Sequence, residues 1–256
     1  MHCKVVIPAR LGSTRLPGKP LLEIAGKPMI QHVCDRAVEA GVGEVVVATD
    51  EQEVVAAVEA FGGVAVLTSA SHESGTDRLA EVAQLAGWDD DTIVVNLQGD
   101  EPLMDPVLIG DVAGNLDQDP VAGISTLATP ILARSDIFSP DVVKVVVDKA
   151  SHALYFSRAP IPWVRGDYGG DDTEEMPSAI QPLRHLGIYA YRVGVLRQIA
   201  TLPPVPIEQA ECLEQLRALW HGIRIHVGVI DDAPGHGVDT QEDLERVRRI
   251  FESGSD

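Results

Sequence analysis

Residues 3–20 read CKVVIPARLGSTRLPGKP, and their pattern decides the fold. Val5-Val6-Ile7 is a β-branched run ended by Pro8. Apolar at consecutive positions, it suits a strand covered on both faces. Runs of the same kind return at Val45-Val46-Val47, Val64-Ala65-Val66-Leu67 and Ile93-Val94-Val95. Between them, residues 29–38, 54–61 and 79–85 carry a helical period, closed by Gly41, Gly62 and Gly87. This alternation predicts a mostly parallel, Rossmann-like α/β sheet flanked by helices.

Farther along, residues 142–147, 153–156 and 186–191 read as strands, 207–220 as one helix, 225–230 as a strand and 240–251 as a last helix. Thr240 or Asp239 stands ready to cap that last helix. The stretch 160–182, with Trp163, Gly169-Gly170 and Asp171-Asp172, reads as a long loop, the kind that serves as a lid or an interface arm. A single domain is expected: residues 1–130 form its first half, 131–235 a smaller irregular α+β part, and 236–256 a C-terminal helix returning to the core.

The 256 residues are 45% hydrophobic and 23% charged, enough apolar surface to bury a core. Acids outnumber bases 39 to 20, a net charge of −19, which opposes general binding to nucleic acid or to an anionic membrane. Cys3, Cys34 and Cys212 lie far apart without CxxC or Cys/His spacing, so neither a disulfide framework nor a zinc site is indicated. No secretory h-region or spanning apolar run occurs, and a cytoplasmic location is expected.

Against that acidic background the loop 9–20 holds Arg10, Arg15 and Lys19, with Gly12, Ser13 and Gly18 and no acid. Loops at the carboxyl end of a first parallel strand bind ligands in such sheets, and clustered cations favour a polyphosphate. A P-loop is excluded by the five residues between Gly12 and Gly18 and by Pro20 after Lys19, and no GxGxxG occurs.

The motif IPARLGSTRLPGKPL, followed in order by VATD (47–50), SGTDRLAE (74–81), VNLQGDEP (95–102), ALYFSRAPIPW (153–163), RHLGIYAYR (184–192), LEQLR (213–217) and PGHGVDT (234–240), resembles the cytidylyltransferases that activate 3-deoxy-D-manno-octulosonate (Kdo), an acidic sugar of lipopolysaccharide. The resemblance spans nearly the whole chain. It departs at His236 and in the acidic loop 171–175. It implies CTP and Kdo as substrates, Mg²⁺ as cofactor and a homodimer, with 131–235 as the sugar-binding and dimerisation part.

Residue by residue, the resemblance puts Arg10, Arg15 and Lys19 on the triphosphate, Ser13 on the nucleotide, and Pro8, Ala9, Ser74, Gly75 and Gln98 around cytosine, whereas the residues alone read Ser74 as a helix cap. Arg78, one helical turn past Ser74, either reaches the ribose or sugar or is an exposed helix cation. Asp100 follows a buried strand at the sheet's carboxyl edge, where a carboxylate suits Mg²⁺, and Asp239 is a second metal ligand or a helix cap. Arg158 is a candidate partner for the sugar carboxylate. In RHLGIYAYR, positions 185, 187, 189 and 191 share one strand face, so Gly187 opens space between His185 and Tyr189. Glu214 and Gln215 complete the sugar set. With no Ser/His/Asp or Cys/His nucleophile in evidence, the resemblance implies direct transfer. A transferase for another acidic sugar, a glycosyltransferase and a nucleotide sensor are competing readings. The carboxylate pair counts against a sensor, and the triphosphate-scale cation cluster against a glycosyltransferase.

Overall fold

The computed structural model describes residues 2–12, 15–72, 74–168, 175–177, 179–231, 235 and 237–254. The first half runs β1 (Cys3–Ala9), a hairpin of β2 (Glu23–Ile24) and β3 (Lys27–Pro28), α1 (Met29–Glu39), β4 (Glu44–Thr49), α2 (Gln52–Ala60), β5 (Val64–Leu67), α3 (Gly75–Leu85), β6 (Ile93–Asn96) and α4 (Pro106–Gln118). It continues through β7 (Ile124–Pro130), α5 (Arg134–Phe138), β8 (Lys144–Val147), β9 (Ala153–Ser157), β10 (Leu183–Arg192), α6 (Val193–Ala200), α7 (Pro206–Glu211), α8 (Gln215–Trp220), β11 (Ile225–Val229) and α9 (Gln241–Ser253).

The main sheet has the order β11-β7-β10-β6-β1-β4-β5, with β8 and β9 branching from β10. Only β10 opposes its neighbours along that path; β6, β1, β4 and β5 are parallel, and β11 is parallel to β7. Val5, Val6 and Ile7 are fully buried, as an unbroken apolar run at a sheet centre requires. The strand continues through Pro8 to Ala9, past the proline expected to end it. Gly41, Gly62 and Gly87 all adopt positive φ, ending α1, α2 and α3.

One face of the sheet packs on α1 and α4 through Val33, Ile109 and Leu116; the other packs on α3 and α6 through Leu79, Val82 and Leu196. A separate cluster joins Leu16, Ile24 and Met29 to Val238, Leu244 and Val247, so α9 docks beside the first loop. That docking carries residue 239 to the sheet's carboxyl edge.

The expected helix 207–220 is instead two. Cys212 takes a left-handed backbone (φ 52°), ending α7, and α8 starts at Gln215 with Glu214 as its N-cap residue. Arg217 on α8 grips Glu208 on α7 (Nε–Oε2 2.9 Å), which keeps the two short helices together. In the loop 160–182 the described residues form no helix or strand before Leu183; Gly169-Gly170 and Asp171-Asp172 lie outside the described residues.

Candidate active site

From β1 the chain proceeds outward to β4 and β5, then returns to β6 on the other flank of β1. Strand order reverses between β1 and β6, and ligands bind at such a switch point. Gly99 lets the loops after β1 and β6 converge: a Cβ there would stand 2.8 Å from the Pro8 carbonyl oxygen. The space beside it is therefore filled partly by backbone rather than kept wholly for a ligand.

Three cavities meet at Gln98, which lines each of them. The first, about 270 Å³, is walled by Pro8 and Ala9 at the end of β1 and Arg10 after it, by Gly75 at the start of α3, and by Lys19 and Asp100. The second, about 150 Å³, is lined by Thr76, Asn96, Tyr189, Tyr191, Glu214 and Gln215. The third, about 140 Å³, lies among Glu101, Arg184, His185, Gly187 and Gly237.

In the first cavity Gly18, at φ 70°, donates its N–H to the Leu11 carbonyl (3.1 Å) and starts the 3-10 turn that presents Lys19. The Lys19 ammonium donates to Asp100 Oδ2 (2.8 Å) and Asp239 Oδ1 (2.9 Å), and Arg15 pairs with Asp239 Oδ2 (3.2 Å). Burial alone would lower the Lys19 pKa, but Asp100 and Asp239 outweigh it and raise the value above normal. Glu101, next in sequence, is pushed up to about 8 by burial and then by the charges of Asp100 and Asp239. Three carboxyl groups, two of them ion-paired, thus gather where the loops after β1 and β6 meet the start of α9.

Neither aspartate is spent as a cap. Thr240 caps α9 through a box with Asp243, and Asp105 caps α4. Arg10 donates to the His72 carbonyl oxygen (2.7 Å) and the Ser74 carbonyl oxygen (3.3 Å), which fixes the loop before α3 over the cavity. Ser74 itself caps α3 in a box with Asp77, so its hydroxyl is occupied. Ser13 and His236 lie outside the described residues.

The second cavity differs in kind. Tyr189 Oη, Glu214 Oε1 and Gln215 Nε2 are buried without a hydrogen-bond partner. Burial raises the pKa of Tyr189 well above normal, and of Glu214 also, against the lowering effect of the Thr76 and Ser74 hydroxyls. Leu186, Ile188 and Ala190 pack on one face of β10 and Tyr189 and Tyr191 on the other, so the expected alternation holds through the register shift at Gly187 and Ile188. His185 accordingly sits 5.2 Å from the Tyr189 ring, within reach of Thr126 Oγ1 (3.0 Å), and burial then Arg184 lower its pKa to about 3.

Two expectations are corrected. Arg78 is neither exposed nor in the cavity. It is fully buried, bonded to Thr68 Oγ1 (2.5 Å) and paired with Asp50 (3.2 Å), because its helix face turns toward β4 and β5. Arg158 spends Nε on the Glu211 carbonyl oxygen and one terminal nitrogen on the Pro140 carbonyl oxygen, both at 2.8 Å, so it ties the end of β9 to α7. Sequence reasoning also missed Thr76 and Asn96. Asn96 had a signal: a polar residue ending the apolar strand IVVN.

Comparison with known proteins agrees with this architecture. A profile described as cytidylyltransferase matches residues 4–225. A 3-deoxy-manno-octulosonate cytidylyltransferase from Hahella chejuensis is 55% identical over 251 residues, covering 98% of each chain. A solved CMP:2-keto-3-deoxy-manno-octonic acid synthetase complexed with CTP superposes with TM-score 0.90 at 47% identity, covering 99% of this chain and 100% of that one. A cytidylyltransferase from Leptospira borgpetersenii, at 17% identity and TM-score 0.62 over 99% of this chain and 87% of its own, shares the fold. The chain belongs to the cytidylyltransferase family.

Proposed function

We propose that the chain transfers a cytidylyl group from CTP to 3-deoxy-D-manno-octulosonate, giving CMP-Kdo and pyrophosphate and so activating the sugar for lipopolysaccharide assembly. The observation that carries this reading is the pairing of a charge-rich cavity at the β1/β6 switch point with an adjoining one whose buried polar atoms lack partners. A nucleoside triphosphate matches the first and a polyhydroxy acid the second. Gln98 lines both cavities, so the two substrates would meet beside it.

The reaction is an in-line displacement. The anomeric hydroxyl oxygen of Kdo forms a bond to the α-phosphorus and loses its proton to solvent, the bond to the bridging oxygen breaks, and pyrophosphate leaves. Catalysis then consists of positioning and charge neutralisation. Lys19 supplies a fixed ammonium for the α-phosphate and the leaving oxygen. Arg10 and Arg15 bracket the triphosphate, and Pro8, Ala9, Gly75 and Gln98 hold the base. Tyr189, Glu214 and Gln215 bind sugar hydroxyls, with His185 as a neutral partner at the third cavity.

Asp100 and Asp239 fit a divalent cation: two uncapped carboxylates converge on one ammonium, and Glu101 adds a third carboxyl beside them. Mg²⁺ is the ion this oxygen-donor set suits, and when bound it neutralises phosphate charge and lowers the pKa of a coordinated hydroxyl. Lys19 then orients both carboxylates before substrate arrives.

Residues 131–235 are assigned to sugar binding and self-association, although β10 and β11 belong to the same sheet as the first half. Trp163 and Phe138 are exposed at 60% and 42% and both pack on the buried Tyr168, an apolar patch that favours a homodimer. Among the described residues, no helix is long and apolar enough to cross a membrane. The two soluble substrates favour the cytoplasm as its place of work.

The test is pyrophosphate release from CTP with a panel of acidic sugars. Kdo is expected to give the highest kcat/KM; preference for sialic acid would overturn the sugar assignment.

A further inference from the structure

Asp119 closes the carboxyl end of α4, His152 lies just before β9, and His226 is the second residue of β11. β11 runs parallel to β7 and hence with the main strands, so this group stands at their amino ends, away from the three cavities at the carboxyl edge. His152 Nε2 and His226 Nδ1 both aim at the same atom, Asp119 Oδ2, at 2.8 and 3.0 Å. The three ligand-type atoms all lie within 4.8 Å of one another.

The carboxylate is held in place independently of the histidines. Its Oδ1 accepts the backbone N–H groups of Val121 and Ala122 at 3.0 and 3.1 Å, which fixes the plane and leaves Oδ2 facing the imidazoles. The other nitrogen of His152 faces Asp148 Oδ2 at 3.8 Å, and Asp148 is itself fixed by the N–H groups of Ala150 and His152. A carboxylate behind a ligating imidazole is a recurring support in metal sites. The side chains of Asp119, His152 and His226 are 12%, 11% and 20% exposed, so solvent reaches the group while most of it is enclosed.

We propose that Asp119, His152 and His226 form a second cation site, distinct from the carboxylates near Lys19, that takes zinc or a divalent ion of similar ligand preference. Two imidazoles and one carboxylate with a position open to water match such ions, whereas magnesium prefers oxygen donors. Ligand atoms around a tetrahedral ion with bonds of about 2.0–2.2 Å stand roughly 3.3–3.6 Å apart, so the two contacts to Oδ2, at 2.8 and 3.0 Å, must open while all three atoms already lie within 4.8 Å of one another. The nitrogen that takes the ion must carry no hydrogen, so a ring holding its proton toward Oδ2 moves it to its other nitrogen or releases it to solvent as the ion binds. The ion would join the end of α4, the segment between β8 and β9, and β11, which lie far apart in sequence.

The experiment is a calorimetric titration of chelator-stripped protein with Zn²⁺, for the wild type, His152→Gln, His226→Gln and Asp239→Asn. One zinc per chain is expected in the wild type and in Asp239→Asn, with affinity reduced more than about tenfold in either histidine variant. Zinc is also expected to raise the Tm of the wild type but not of His226→Gln. Cobalt in its place is expected to give d–d bands without sulfur-to-metal charge transfer. Unchanged affinity in both histidine variants, loss of binding in Asp239→Asn, thiolate bands from Cys212, or no binding up to about 100 μM would each overturn the proposal. If one histidine variant fails to fold, the other decides.

Discussion

The first and second cavities adjoin at Gln98, yet they store their polar groups in opposite ways. Around the first, charge is already paired: Lys19 is shared between Asp100 and Asp239, Arg15 holds Asp239, and Arg10 is bonded to backbone carbonyls. In the second, Tyr189 Oη, Glu214 Oε1 and Gln215 Nε2 face the cavity without partners. A phosphate entering the first must exchange one set of ion pairs for another, so the gain is small in the ground state and grows where transition-state charge appears. A hydroxyl entering the second meets groups that have already left bulk water, and each hydrogen bond offsets a cost the free protein carries. Rate should therefore depend on the first cavity and sugar affinity on the second.

The largest effect expected tests whether Arg78 stands outside both cavities. Arg78→Met removes one partner of a buried pair and leaves Asp50 behind, a loss of about 3–5 kcal/mol for such pairs. Denaturant unfolding should show that loss while the KM values of the residual folded enzyme stay within about twofold. A large rise in KM for CTP with unchanged stability would return Arg78 to the nucleotide site.

Lys19→Ala comes next. Removing a donor aimed at developing charge lowers kcat by roughly 10² to 10³. Steady-state kinetics with saturating Mg²⁺ is the measurement; a raised KM for CTP with unchanged kcat would reduce Lys19 to uniform binding and erase the contrast between the cavities.

How much of this contrast was legible in the sequence varied with how the residues are satisfied. Val5-Val6-Ile7 and Ile93-Val94-Val95 announced central strands because burial on both faces leaves no polar position. The strand β7 (ISTLATP) was not legible, although it lies between β10 and β11. Its Ser125, Thr126 and Thr129 are buried because each hydroxyl is bonded: Ser125 to the Val112 carbonyl, Thr126 to those of Leu186 and Ile188, and Thr129 to that of Asp231. Helix α4, with Gly110 and Gly114 breaking its apolar period, was missed likewise.

Much of the wall of the first cavity, from Pro8 to Lys19, stands together in the sequence as well as in space, and Asp100 follows a strand. Arg78 and Arg158 were misplaced because a cation's sequence neighbours do not reveal a half-buried Asp50 or a facing carbonyl. The group Asp119, His152 and His226 has no sequence spacing at all; three separate segments bring it together.

The third effect is a pH dependence centred on His185. Its folded-state pKa, about 3, is depressed below an unfolded value near 6.5. The unfolded chain thus binds the extra proton between those values, so stability present above pH 6.5 is lost as pH falls toward 3. With part of the ring open to the cavity, the contribution is about 1–3 kcal/mol. Urea unfolding of His185→Gln should show a shallower acid limb than the wild type over that window; parallel limbs would contradict a neutral, desolvated imidazole.

The smallest effect is also the most direct test of the central claim, that unpartnered polar atoms in the second cavity await the sugar. Gln215→Leu deletes one of them at similar volume. Measured together, its KM for Kdo should rise about 2- to 13-fold, the worth of one neutral hydrogen bond. CTP affinity should stay within about twofold, and the Tm of the free protein should hold or rise, because a buried group without a partner has been removed. A lower Tm with equal losses for Kdo and CTP would contradict the account and make Gln215 a structural residue of α8.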